Sequence, residues 1–120
     1  MIEEYHFGHI KILGKSYNYD VEVRWTGEVL PWWRKEGHIF DLPDIQRALD
    51  QKPSLIILGT GAYGAVKVTE RAQREIRNFG IELIVDKTEE AVRNFNIIKE
   101  RSKQEEGKEK KMIGLFHLTC

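Results

Sequence analysis

Residues 53–86, which read PSLIILGTGAYGAVKVTERAQREIRNFGIELIVD, decide the fold of this chain. The short β-branched run Leu55–Leu58 is typical of a strand buried on both faces, and residues 81–85 read as a second buried strand. Between them, apolar residues recur at helical spacing from about Thr69 to Phe79, and Gly80 follows as a left-handed helix cap. This order of strand, helix and strand predicts a parallel pair joined by a right-handed crossover.

The segments around this unit predict further strands and helices. Residues 9–13 alternate in polarity and so do residues 17–25, which predicts an antiparallel hairpin. Asp41 is placed to cap a helix that ends before Pro53. Thr88 is predicted to cap a second helix that reaches about residue 101, and residues 112–118 predict a last strand within the sheet.

Together these segments predict a single α/β domain over residues 1–120. We expect one layered fold with a mixed central sheet, a parallel βαβ core and an N-terminal antiparallel hairpin. Residues 102–111, which include many charges and no apolar side chain before Met112, are expected to form a charged surface loop.

Composition limits the classes of function. The chain has 19 basic and 19 acidic residues, so it lacks the positive charge typical of a nucleic-acid-binding protein. Its opening residues do not resemble a secretory signal, and no run approaches the roughly 18 apolar residues of a membrane span. Its single cysteine, Cys120, favours a reducing compartment. We therefore expect a cytoplasmic protein with no membrane or nucleic-acid partner.

The glycine-rich loop Gly59–Gly64 has two interpretations. The pattern Gly59-x-Gly61-x-x-Gly64 follows a predicted strand, as in dinucleotide-binding folds, but residues 66–68 separate it from the predicted helix. These glycines are therefore expected to form a tight turn, and no cofactor is assigned. Alternatively, the loop at Gly59, Thr60 and Gly61 binds a small anion, with Lys67 and Arg71 supplying positive charge.

The Trp33–Arg34 pair is the best candidate for a recognition surface. Tryptophan and arginine are enriched at interface hot spots, and the irregular segment 31–38 is expected to be a loop. Because adjacent tryptophans cannot both point inward along a regular strand, one of Trp32 and Trp33 is expected to be exposed. The opposite interpretation, in which the indoles merely cover the end of the sheet, is equally well supported.

The histidines do not suggest chemistry. His6 and His9, three apart in a strand-like stretch, are predicted to face opposite ways, so no metal site is assigned. His117 and Cys120 are predicted to project to opposite sides of the last strand, which favours packing or a terminal anchor over catalysis. No catalytic residue is assigned.

Five segments, in this order, carry a family resemblance: GKSYNYDVEV, WWR, LIILGTGAYGAVKV, FGIELIVDKTEEAVRNFN and GLFHLTC. The chain resembles the adipogenesis-associated domain family, a family of unknown function whose relatives include a mitochondrial assembly factor for respiratory complex I. The resemblance implies a compact α/β fold with a mixed sheet and implies no catalytic residue. The positions that match the family pattern are Tyr17, Asp20, Trp33, Arg34, Gly59, Gly61, Thr88, Ala91, Asn96, His117, Thr119 and Cys120.

These observations lead to two functional hypotheses. The first is a small binding or assembly-accessory module without catalysis, whose partner is a protein and whose contacts are the Trp33–Arg34 and Gly59–Gly64 loops. The alternative is an enzyme or ligand-binding domain that recognises a small anionic molecule at the Gly59–Gly64 loop. Whether any reaction is catalysed, and the oligomeric state, are left open.

Overall fold

The structure is a computed structural model that describes residues 1–105 and 110–120. The elements in chain order are β1 (Ile2–His6), β2 (His9–Ile12), β3 (Lys15–Tyr17), β4 (Val21–Arg24), β5 (Val29–Pro31), β6 (Ile39–Phe40), α1 (Leu42–Asp50), β7 (Leu55–Thr60), β8 (Lys67–Val68), α2 (Glu70–Asn78), β9 (Glu82–Asp86), α3 (Thr88–Gln104) and β10 (Met112–His117).

The central sheet has five strands in the order β5-β4-β10-β7-β9. β7 pairs in parallel with both β9 and β10, while β4 pairs antiparallel to β10. All six residues of β7 and all six of β10 are buried, as expected for strands covered on both faces. The predicted mixed sheet, its parallel βαβ core and the central place of the last strand are thereby confirmed.

Two apolar layers enclose the sheet. On one face α1 and α2 pack over Ile56, Leu58, Ile113 and Leu115. On the other face α3 and a separate three-stranded antiparallel sheet, β1-β2-β3, form the second core cluster. Asn96 joins these last two units, because its amide accepts from the backbone N–H of Ile2 at 3.0 Å and donates to the carbonyl of the same residue at 2.8 Å.

Local signals located the start of α1 and both ends of α2. Asp41 caps α1, as predicted, and the structure adds a reciprocal capping box with Asp44. The Thr69 hydroxyl caps α2 by accepting from the backbone N–H of Ala72, and Gly80 follows α2 with a φ of 73°. Among the described residues, no helix is both long and apolar enough to cross a membrane.

Three local predictions were wrong. The alternating run 17–25 is two strands, because the chain leaves the three-stranded sheet after Tyr17 and enters the central sheet at Val21. β9 is an edge strand with exposed residues, not a strand buried on both faces. Lys87 is the N-cap of α3, because the Thr88 hydroxyl bonds to the glycine loop and β10 instead.

The predicted surface loop 102–111 begins as helix, because α3 continues to Gln104 and Ser102 is buried. Residues 106–109 of that segment lie outside the described part of the chain.

The strands β7, β9 and β10 finish at one end of the central sheet, at Thr60, Asp86 and His117. We call this end the carboxyl edge. α3 begins there directly after β9, and Asp20 precedes β4 at the same end because Val21 pairs with Phe116. The carboxyl edge therefore gathers the glycine loop and the chain terminus, an arrangement that places ligands in many α/β proteins.

Candidate functional site

Asp20 is the centre of a polar cluster at the carboxyl edge. Its Oδ1 accepts from the backbone N–H of Leu118 at 2.8 Å, and its Oδ2 lies 2.8 Å from Nδ1 of His117. The same Oδ2 accepts from Nη1 of Arg34. The Asp20 carbonyl also accepts from the backbone N–H of Trp32 at 2.9 Å. Asp20 thus connects the last strand to residues 32–37, which we call the tryptophan loop.

Arg34 turns inward rather than toward solvent. Its side chain is only 5% exposed, and its Nη2 donates to the carbonyl of Gly37 at 2.9 Å. Its guanidinium carbon lies 5.0 Å and 5.2 Å from the ring centroids of Trp32 and Phe40, within cation–π range. A buried guanidinium that is paired with a carboxylate and bonded to the backbone holds the loop 32–37 against the domain.

The His117 ring connects Asp20 to Thr119. Its Nδ1 lies 2.8 Å from the Asp20 carboxylate, which only accepts hydrogen bonds, and 2.9 Å from Nη2 of Arg34, which only donates them; with a proton on Nδ1 the hydrogen bond is to Asp20. In the neutral ring Nε2 is then an acceptor, and it lies 3.3 Å from the Thr119 hydroxyl. Hydroxyl, imidazole and carboxylate therefore follow one another in a chain.

The series Thr119, His117 and Asp20 has the order of groups found in a nucleophilic triad, but its surroundings favour a structural role. His117 is only 7% exposed, and the Asp20 oxygen that orients it is shared with Arg34. A catalytic orienter must stabilise a developing imidazolium, whereas here the neighbouring guanidinium already neutralises the carboxylate. We assign the cluster to anchoring the chain terminus and the tryptophan loop.

The Asp20 carboxyl group makes stability depend on pH. Burial by itself raises the pKa of Asp20, but hydrogen bonds from His117, the Leu118 N–H and Arg34 outweigh it and hold the pKa below the ordinary value. A lowered folded-state pKa contributes stability that is present above the unfolded-state pKa of about 3.9 and is lost as pH falls through the folded-state value.

We therefore predict that the stability advantage of the wild-type chain over Asp20→Asn shrinks as pH falls below about 4. Urea unfolding of both proteins at a series of pH values from neutral to strongly acidic checks this. If the difference in unfolding free energy between the two proteins stayed constant, or grew as pH fell, the lowered pKa of Asp20 would be contradicted.

The glycine loop lies under the chain terminus. Gly61 has a φ of 101°, and a Cβ added to it would lie 2.7 Å from the backbone oxygen of Cys120. The Gly61 N–H donates to the Thr88 hydroxyl at 2.8 Å, which itself donates to the His117 carbonyl at 2.6 Å. The Ala62 N–H donates to the Thr119 carbonyl at 2.8 Å. Gly61 must be a glycine because its φ is positive and the terminal backbone packs directly on it.

The remaining predicted site residues are dispersed. Thr60 is buried, and its hydroxyl donates to the Asp86 carbonyl at 3.0 Å. Gly59 packs against Thr88, where an added Cβ would lie 2.8 Å from the hydroxyl oxygen. Lys67 is exposed on β8, in the small parallel sheet that β8 forms with β6. The sequence hypothesis therefore grouped residues that have different neighbours.

Arg71 pairs with the helix cap of α1, not with the glycine loop. Its Nη2 lies 2.6 Å from Oδ2 of Asp41, and this hydrogen bonding from Arg71 is the main cause that lowers the pKa of Asp41. Lys87 does pack on the glycine loop, because its Cγ would lie 3.3 Å from a Cβ added at Gly64. Local sequence did not indicate Lys87, because its position depends on the pairing of β7 with β9.

Trp32 and Trp33 have opposite environments, as predicted. Trp32 is 4% exposed, and its indole N–H donates to the Asp44 carbonyl at 2.8 Å. Trp33 is 78% exposed. Trp33 lines a recess of about 190 Å³ with Trp32, Pro43, Asp44 and Arg47. The large Trp33 indole is therefore exposed, while the side chains of the residues on either side of it, Trp32 and Arg34, are buried and hydrogen-bonded.

Residue-by-residue reasoning missed Asp20 and Thr119. The alternation of residues 17–25 places Asp20 inside a single strand, and the local pattern gives Thr119 no role. Both are among the positions that match the family pattern, and that resemblance was the only signal that could have found them. The cluster brings together Asp20, Arg34, Gly61, Thr88, His117 and Thr119 from that set.

Comparison with known proteins identifies the family of this chain. Residues 2–105 match the family described as "Protein of unknown function (DUF498/DUF598)". The chain belongs to this family. The DUF498/DUF598 match covers most of the chain and includes Asp20, Trp33, Arg34, Gly61 and Thr88, but it stops before the last strand and the terminus.

Solved structures share the whole fold. The conserved hypothetical protein PH1505 from Pyrococcus horikoshii is 24% identical, with a TM-score of 0.82 over 100% of this chain and 99% of that one. The protein MT938 is 28% identical, with a TM-score of 0.77 over 100% and 98% of the two chains. A Bartonella henselae protein described as an outer membrane protein is 16% identical, with a TM-score of 0.79 over 99% and 94%. These proteins therefore share the fold of this chain over nearly their whole length.

Proposed function

We propose that this chain is a non-catalytic binding module that docks a protein partner through Trp33. The observation that carries the proposal is the contrast between an indole that is 78% exposed and the neighbouring Arg34 side chain, which is only 5% exposed. Exposed tryptophans on rigid loops are strong candidates for interface hot spots, because little conformational entropy is lost when a partner covers them.

The surroundings of Trp33 fit a protein partner. The recess beside it combines two indoles and Pro43 with the charged side chains of Asp44 and Arg47. Interface cores of this kind have an apolar centre with polar groups at the rim. The resemblance to the adipogenesis-associated domain family, which includes an assembly factor, supports an accessory role in assembly. The free Cys120 supports a reducing compartment such as the cytoplasm.

Replacing Trp33 by alanine is expected to weaken the partner complex by about 30-fold, which corresponds to a hot-spot loss of about 2 kcal/mol. Stability should change by no more than about 0.5 kcal/mol, because the indole is exposed. Affinity purification of the tagged chain identifies the partner, and titration of the purified partner gives both affinities.

Phe79→Ala is the matched control for this experiment. Phe79 is 61% exposed and follows α2, near the start of β9 and away from the carboxyl edge. The Phe79→Ala variant should bind the partner with the same affinity as the wild-type chain. Equal affinity of the wild-type chain and Trp33→Ala for the partner would refute the proposed docking surface.

A small anion at the Gly59–Gly64 loop is the alternative function. Lys87 supports it, because its side chain packs beside Gly64 at the carboxyl edge. Against it, the N–H groups of Gly61 and Ala62 already have backbone or hydroxyl partners. A thermal-shift series with nucleotides, phosphates and carboxylates tests this alternative. Saturable stabilisation that disappears in Lys87→Ala would favour it over the protein-binding role.

A further inference from the structure

The β1–β2 hairpin brings three metal-binding side chains together on its outer face. His6 and His9 are directly paired across the Phe7–Gly8 turn, and their imidazole rings stack with centroids 4.5 Å apart. Glu4 lies two residues before His6, so both side chains point to the same side of β1. Its Oε1 is 3.7 Å from Nε2 of His6.

This arrangement corrects the sequence prediction for the two histidines. A continuous strand would send residues three apart to opposite faces, but the tight turn between them makes them cross-strand neighbours. The prediction that His6 and His9 face opposite ways was therefore wrong. The expectation of no metal site rested on that geometry.

His9 supplies a second, independent observation. Its Nδ1 is buried and, among the residues described by the structure, has no hydrogen-bond partner. Buried polar side-chain atoms in proteins are nearly always bonded, so an unpaired imidazole nitrogen calls for a ligand or a function. One donor atom from each of Glu4, His6 and His9 lies within 4.8 Å of the other two.

We propose that Glu4, His6 and His9 form a surface site for Zn²⁺ or a similar divalent transition-metal ion. Two imidazoles and one carboxylate are a common zinc donor set, with the fourth position left to water or another ligand. Imidazole ligands favour zinc, nickel and copper, whereas magnesium and calcium prefer oxygen ligands.

Binding requires a small rearrangement of the side chains. Metal–ligand bonds of about 2.1 Å place the donors of a tetrahedral site roughly 3.4 Å apart, closer than the present limit of 4.8 Å. The rings must also leave their parallel stack, since the nitrogen lone pair lies in the ring plane. Glu4 and His6 can move freely, because their side chains are 54% and 60% exposed. Lys11, which pairs with Glu4 across the strands, opposes the bound charge and limits the affinity.

Calorimetric titration of the tag-free chain with Zn²⁺ tests the site. We expect saturable binding of one ion per chain and no binding of Mg²⁺ under the same conditions. His6→Ala should weaken Zn²⁺ binding by about tenfold or more, since it removes one ligand from an exposed position where folding is unaffected. In the wild-type chain, the imidazole NMR signals of His6 and His9 should shift with added Zn²⁺.

Two control variants make the result decisive. His38→Ala removes an exposed histidine outside the hairpin and should leave Zn²⁺ affinity unchanged. Cys120→Ser removes an exposed thiol, which is a strong zinc ligand far from the hairpin in sequence, and should also leave Zn²⁺ affinity unchanged. The proposal would be overturned by an absence of saturable Zn²⁺ binding, by unchanged affinity in His6→Ala, or by binding that depends on Cys120.

Discussion

Replacing Asp20 by alanine is expected to lower the free energy of unfolding by about 3 kcal/mol or more. The substitution removes the acceptor for the Arg34 guanidinium, for Nδ1 of His117 and for the Leu118 N–H. The Arg34 side chain is only 5% exposed, so its charge would be left buried without a carboxylate. Removing one partner of such a pair costs more than the pair itself contributes, because the remaining charge stays desolvated.

Equilibrium urea unfolding, followed by far-UV circular dichroism, measures this loss. Asp50→Ala is the matched control, because Asp50 is exposed and accepts a hydrogen bond only from Gln46 among the interactions described. That variant should change the unfolding free energy by no more than about 0.5 kcal/mol. If the two variants lose equal stability, the cluster at the carboxyl edge does not anchor the fold.

Gly61→Ala is expected to lower the unfolding free energy by about 2 to 4 kcal/mol. Gly61 adopts a φ of 101°, a conformation that residues with a Cβ rarely adopt. The added methyl group would also lie 2.7 Å from the Cys120 backbone oxygen and 2.8 Å from that of Thr119. The terminal backbone would have to move, with loss of the hydrogen bond from the Ala62 N–H to the Thr119 carbonyl.

Gly8→Ala separates the effect of conformation from the effect of contact. Gly8 has a φ of 77°, but no heavy atom lies within 4 Å of a Cβ added there. Its replacement should cost only the conformational strain, about 1 kcal/mol. Equal losses for the two glycine variants would mean that the chain terminus is not packed on the glycine loop in solution.

The sequence predicted well those elements whose signals lie within a few consecutive residues. Leu55–Leu58 is apolar throughout because β7 is covered on both faces, and Asp41 and Gly80 carry cap signals that act within one helical turn. Alternation failed in residues 17–25, because a period of two does not reveal where a chain passes from one sheet to another. For the same reason, the turn that pairs His6 with His9 was not predicted.

The candidate site was beyond local reasoning, since its contacts join distant parts of the chain. Asp20 and His117 are 97 positions apart, and Arg34 and His117 are 83 apart. Sequence could predict that one of two adjacent tryptophans is exposed, but not which one. Burial of Trp32 depends on its hydrogen bond to the Asp44 carbonyl and its edge contact with Phe40. Such choices are made by tertiary packing.

The proposed binding surface is a rigid loop that displays Trp33, with Arg34 held by Asp20 and Gly37. Backbone ¹⁵N relaxation of the free protein measures that rigidity directly. We predict order parameters of about 0.85 for the amides of Trp33 and Arg34, equal to those of the sheet. Values below about 0.6 at these two amides would show a loop that moves freely on the nanosecond timescale, and would contradict a pre-organised binding surface.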